Sequence, residues 1–101
     1  MEEMKIRKVS DGYLGILDLP GQPAQVGKRK LRRDLERWRK ETIVRWALTC
    51  KPEDLIAYLG KTQLKLAADL GIEQSTLSKW KLGKRKMSRP VRMALLRLLG
   101  L

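Results

Sequence analysis

The chain has 101 residues, enough for one domain and too short for two substantial cores. A hydrophobic content of 43% argues against wholesale disorder, and no apolar run approaches the ~20 residues of a membrane-spanning helix. The net charge of +12 points to a polyanionic partner, nucleic acid before an anionic membrane; the plainer reading, that Lys and Arg keep the chain soluble, stands beside it.

The charge is unevenly spread. Residues 1–27 carry three basic and four acidic residues, and residues 28–51 carry ten and three. Residues 52–61 are near neutral, and residues 62–101 carry nine basic and two acidic residues. Two basic blocks separated by near-neutral segments imply basic surfaces rather than one disordered tail. Phe is absent, so core volume must come mainly from Leu, Ile, Val and Met, with three Trp and two Tyr. The acidic start, Met1-Glu2-Glu3, lacks the apolar region of a signal peptide. The single cysteine, Cys50, allows no internal disulfide and fits a reducing cytoplasm. With no His as its base, Cys50 reads as a small buried hydrophobe rather than a nucleophile.

In chain order, residues 4–19 read as a β-hairpin. Ile6 and Val9 alternate imperfectly with basic residues, Asp11-Gly12 is a two-residue turn signal, and Tyr13 to Leu17 form the second strand. A lone hairpin is marginal in water and must pack on helices or on another chain; a loosely ordered arm is the alternative. Pro20-Gly21-Gln22-Pro23 breaks the chain, and Gly27 marks the end of a linker. From Lys28 to Thr49 the pattern is helical. Leu31, Leu35, Trp38, Thr42 and Trp46 form a stripe widened by Ile43 and Leu48, while Arg29, Arg32, Arg33, Arg39 and Lys40 mostly lie off it. Trp38 and Trp46 on that stripe are expected as core or dimer contacts, not as stacking platforms.

Pro52-Glu53-Asp54 opens a helix, with Pro suited to the first turn and the acids to the positive end of the dipole. Leu55, Ile56 and Leu59 give it an apolar face up to Gly60. Thr62 to Gly83 then read as two short helices. Leu66, Ala67 and Leu70 share one face of the first, and Gly71 stops it. Leu77 and Trp80 lie three apart on the second, with Ile72 and Leu82 among the apolar positions and Gln74, Ser75, Ser78 and Lys79 opposite. Two helices joined by a short turn containing Gly make a helix-turn-helix. A last helix, Pro90 to about Leu99, carries Val91, Ala94, Leu95, Leu98 and Leu99 on its core stripe.

Thr62-Gln63, Leu66-Ala67, Leu70-Gly71, Gln74 to Trp80 and Gly83 followed by Lys84-Arg85-Lys86 resemble the helix-turn-helix of the lambda Cro and phage repressor family. The resemblance covers the C-terminal part, residues about 52–99; Lys81 stands where many members carry Glu. It implies a mainly α fold: a Cro-like domain at 51–101, preceded by an N-terminal hairpin and linker at 1–27 and a long basic helix at 28–50, all one compact domain. The matching Gln in related repressors contacts the DNA backbone and braces the recognition helix, a role that falls here to Gln63.

An enzyme is not expected: there is no His, no metal-ligand cluster, no Gly-rich phosphate loop and no G-x-S-x-G turn, and no cofactor is implied. DNA binding has more to work with. If Ile72 and Leu77 face the core, Gln74, Ser75, Ser78 and Lys79 project outward with donors and acceptors suited to base edges. Glu73 would serve the helix start as a cap or through the dipole, and would repel phosphate unless it accepts from a cytosine amine. Thr62, Gln63, Lys84, Arg85 and Lys86 are the expected backbone contacts. Lys28, Arg29, Arg32 and Arg33 form a second candidate DNA-facing surface. Trp80 reads as a core anchor. The expected function is a sequence-specific transcriptional repressor of phage or plasmid type, a cytoplasmic homodimer on a palindromic operator, with no membrane partner. The alternatives are an antitoxin that represses its own operon and binds a toxin through residues 1–50, and a helix-turn-helix used only for protein interaction; RNA is a weaker fit.

Overall fold

The computed structural model describes residues 4–101, so the acidic start at residues 1–3 lies outside the described residues. Three antiparallel strands, Lys5–Val9 (β1), Gly12–Leu17 (β2) and Gln25–Arg29 (β3), form a sheet of order β1-β2-β3. Five helices follow: Arg32–Thr49 (α1), Pro52–Leu59 (α2), Gln63–Leu70 (α3), Gln74–Lys81 (α4) and Arg89–Leu98 (α5). The class is therefore mixed, a sheet followed by helices, where the sequence predicts a mainly α chain with one hairpin.

The hairpin forms, but its turn falls one residue earlier than Asp11-Gly12. Val9 pairs with Gly12, leaving Ser10-Asp11 at the bend. Gly12 is required for a different reason: a β-carbon there would stand 2.4 Å from the carbonyl oxygen of Arg29 on β3. The third strand lies where the sequence predicts the end of a linker. Its five residues hold one β-branched apolar side chain, Val26, which points outward and is 62% exposed, so no alternation announces it. Pairing with β2 makes it a strand, in the register Tyr13↔Arg29, Gly15↔Gly27 and Leu17↔Gln25.

Gly15 and Gly27, opposite one another, let α1 approach the sheet. A β-carbon on Gly15 would lie 3.0 Å from a Leu35 methyl, and one on Gly27 would lie 2.6 Å from the Trp38 indole. The sheet thus rests its bare backbone on α1, and Leu17 and Leu35 are fully buried beside this seam.

The long helix begins at Arg32, four residues later than predicted, because Lys28 and Arg29 belong to β3. Its 18 residues extend about 27 Å. Leu35, Thr42, Ile43 and Trp46 are buried as the stripe predicts, but Leu31 is the N-cap and lies half exposed. The first half of α1 packs on the sheet and the second half on the other helices. There Trp46 donates from Nε1 to the Pro20 carbonyl (3.2 Å) and meets Tyr58 of α2 edge-to-face at 5.2 Å. One hydrophobic cluster runs through both ends, from Leu17 to Leu96. The body is elongated, 50 × 22 × 21 Å, with a radius of gyration of 15.2 Å against the roughly 13 Å of a compact 100-residue domain. α1 works as a shaft, with the sheet on one end and the other helices on the other.

α2 carries Pro52 in its first turn with Glu53 and Asp54, as predicted, and ends at Gly60. α5 buries Leu95 and Leu96 most deeply, while Val91, Leu98 and Leu99 are only partly covered. Among the described residues no helix is long and apolar enough to cross a membrane.

Candidate nucleic-acid interface

The two short helices of the second basic block form the first candidate surface. Thr62 is the N-cap of α3, its side-chain oxygen accepting from the Lys65 amide at 3.2 Å. Leu66 and Ala67 bury the inner face. The helix ends at Gly71, whose φ of +67° would strain a side chain even though the space around it is open. The Gly71 amide donates to Ala68 and the Ile72 amide to Ala67 (3.2 and 3.0 Å), satisfying carbonyls that would otherwise lack partners. Lys61 and Asp69 bracket the helix through a 2.8 Å ion pair, and the hydrogen bond from Lys61 holds the Asp69 carboxyl below its ordinary range.

Only Gly71, Ile72 and Glu73 separate α3 from α4. Leu77 and Trp80 bury one face of α4, and Gln74, Ser75, Lys79 and Lys81 stand exposed on the rest. Ser78 is half-buried, so of the four predicted base-contacting side chains it is the least available. Ser75 donates its hydroxyl to the Glu73 carboxylate at 3.3 Å. Glu73 is the N-cap residue, without a side-chain capping bond, and its charge sits at the positive end of α4. Trp80 is 6% exposed and anchors the core as predicted, although its buried indole N–H has no hydrogen-bond partner among the described residues.

The end of α4 sets the next basic cluster. The Lys84 amide donates to the Lys79 carbonyl (2.9 Å) and the Gly83 amide to Trp80 (3.1 Å), a reversal with Gly83 in the left-handed conformation. The chain then leaves the helix with Lys84, Arg85 and Lys86 exposed, and Met87 buries itself to hold the loop. Leu82, one of the apolar positions of the sequence, is 69% exposed. Thr62 and Gln63 open α3, with Gln63 half-buried.

The second predicted surface is not one helical face. Lys28 and Arg29 are consecutive residues of β3 and point to opposite sides of the sheet, whereas Arg32 and Arg33 lie exposed in the first turn of α1. Lys28 is drawn to Asp11 at 2.9 Å, and that hydrogen bond keeps the Asp11 carboxyl below its ordinary range. Arg29 donates to the Lys28 carbonyl at 2.7 Å.

Cys50 is half-buried at the end of α1, and burial pushes its thiol above the ordinary value. The group that organises this corner is Arg92, which sequence reasoning passes over. Its guanidinium donates to the carbonyls of Ala47 (2.8 Å) and Cys50 (2.7 Å), closing the C-terminal end of α1 from α5. An arginine near a helix start carries no local signal for this, because its partners lie 42 and 45 residues away. Among the described residues no group of three or more His, Cys, Asp and Glu side chains is arranged to hold a metal ion.

Compared with protein-family models, with curated proteins and with solved structures, the chain matches none.

Proposed function

We propose that this protein is a sequence-specific DNA-binding transcriptional regulator in which α3 and α4 act as a helix-turn-helix of the Cro-like type. The observation that carries this reading is the division of α4: Leu77 and Trp80 are buried, while Gln74, Ser75, Lys79 and Lys81 are exposed to solvent. Laid in a major groove, Gln74 at the start of α4 would bond adenine in two places, and Lys79 would reach guanine acceptors. Gln63 and the α3 N-terminus would contact a phosphate, and Lys84, Arg85 and Lys86 would add affinity without sequence information.

One eight-residue recognition helix covers few base pairs. The protein would therefore act as a homodimer on an inverted repeat, repressing transcription by covering the promoter. The test is binding to a palindromic fragment of the protein's own promoter region, with random duplex as control. The reading expects a preference of about 10³ or more for the promoter fragment, abolished in Gln74→Ala/Lys79→Ala while the fold is kept. Equal affinity for both duplexes would leave only charge attraction and overturn sequence-specific regulation.

A further inference from the structure

We propose that the outer face of the β-sheet is a second duplex-DNA contact, shaped to lie along a major groove independently of α4. The contact of Gly15 with Leu35 turns the odd-numbered positions of β2 toward α1, so Leu14 and Ile16 point away from it. Residues paired across strands share a face, which gives two outward rows: Arg7, Leu14 and Lys28, and Lys5, Ile16 and Val26. Each row has an apolar residue of the central strand in the middle. Basic residues stand on the outer strands, Lys5 and Arg7 on β1 and Lys28 on β3. No Asp or Glu occurs within any of the three strands.

That layout matches the cross-section of a B-form major groove. β1 and β3 are two strand spacings apart, about 10 Å, and the groove is about 12 Å wide between its phosphate rails. A central strand without charge would face the base edges, where Leu14 and Ile16 meet thymine methyls, while the flanking cations reach the two backbones. The same charges oppose pairing of this face with a second copy of the chain. An A-form RNA duplex is excluded by shape, since its major groove is narrow and deep. Asp11 holds Lys28 in the free protein, but both side chains are more than half exposed, so a phosphate can compete for that lysine. The predicted basic surface at Lys28, Arg29, Arg32 and Arg33 is thereby redrawn onto the sheet.

The inference shares with the proposed function only the idea that the partner is duplex DNA, and one experiment separates the two. The full chain is titrated into a labelled mixed-sequence DNA duplex of about 40 base pairs, by fluorescence anisotropy between about 50 and 200 mM NaCl. Three variants are compared with the parent: Lys5→Gln/Arg7→Gln/Lys28→Gln on the sheet, Lys40→Gln/Arg45→Gln/Lys51→Gln as an equal change of charge on exposed positions elsewhere, and Gln74→Ala/Lys79→Ala on α4. The sheet variant is expected to lower the slope of log K against log salt by about 2 to 3, the control by less than about 1. The sheet effect should persist in the α4 background. A sheet variant that behaves like the control, while the α4 variant loses affinity, overturns this inference and leaves the α4 reading standing. An equal loss of slope on an RNA duplex of the same sequence also overturns it. If the parent does not bind this mixed-sequence duplex, the sheet inference falls, while the α4 reading is decided separately by the promoter fragment.

Discussion

Gly27→Ala tests the seam between sheet and shaft, because two established effects of that substitution have opposite signs. Replacing Gly by Ala in extended backbone ordinarily stabilises a fold by about 0.4–1 kcal/mol, through the unfolded chain. At Gly27 the new β-carbon would stand 2.6 Å from both carbons of the bond shared by the two rings of Trp38, and 2.8 Å from a third ring carbon. Comfortable carbon–carbon contact begins near 3.5 Å, so ring or strand must retreat by about 1 Å. The flat of the indole lies over the glycine, so turning the ring in its own plane gives no relief. Overpacking of this kind costs about 1–3 kcal/mol, which outweighs the backbone gain and leaves a net loss of about 1–2 kcal/mol. For a chain of this size that lowers Tm by about 4–16 °C, read by circular dichroism. In a Trp38→Ala background the same substitution should be neutral or stabilising, because the obstacle has gone. A Gly27→Ala protein as stable as the parent, or more so, would refute the close seating of α1 on the sheet.

Two further outcomes follow from the corner formed by α1 and α5. Arg92→Met removes two short charge-assisted bonds to the Ala47 and Cys50 carbonyls and should cost about 2 to 3 kcal/mol in urea denaturation; a loss below about 0.5 kcal/mol would mean water replaces the guanidinium at no cost. Cys50 is more weakly acidic in the folded chain than in the unfolded one, chiefly through burial. Its contribution to stability is therefore complete below about pH 8.5, the unfolded thiol's value, and is lost as pH rises through the folded one. Alkylation by iodoacetamide near about pH 8 should accordingly be slower for native protein than for protein in urea, and equal rates would contradict a shielded thiol.

Much of the helical half was legible from residues close together in sequence. Pro52 with Glu53 and Asp54, Thr62, Gly71 and Gly83 mark helix ends by local chemistry, and those ends stand where their signals put them. Leu66, Ala67, Leu77 and Trp80 are buried as their spacing requires, which leaves Gln74, Ser75 and Lys79 on the outside. Leu82 is apolar yet exposed, because at the helix end the chain reverses and carries that side chain into solvent. Leu96 was missed for the opposite reason: it lies beside the expected stripe, and α5 is covered more widely than one periodic face implies.

By itself, then, the sequence determined the basic charge, the last four helices with their punctuation, the existence of the hairpin and the buried stripe of α1. Periodicity, capping and turn formation act over a few residues, and those residues are adjacent in the chain. Only the tertiary structure decided that Gln25–Arg29 is a strand, that Gly15 and Gly27 are a seat for Leu35 and Trp38, and that Arg92 closes α1. It also decided which basic residues share a surface, separating Lys28 from Arg29 and joining Lys28 to Arg7 across Leu14. Each of these depends on partners distant along the chain, where pairing register and close packing replace local preference as the cause.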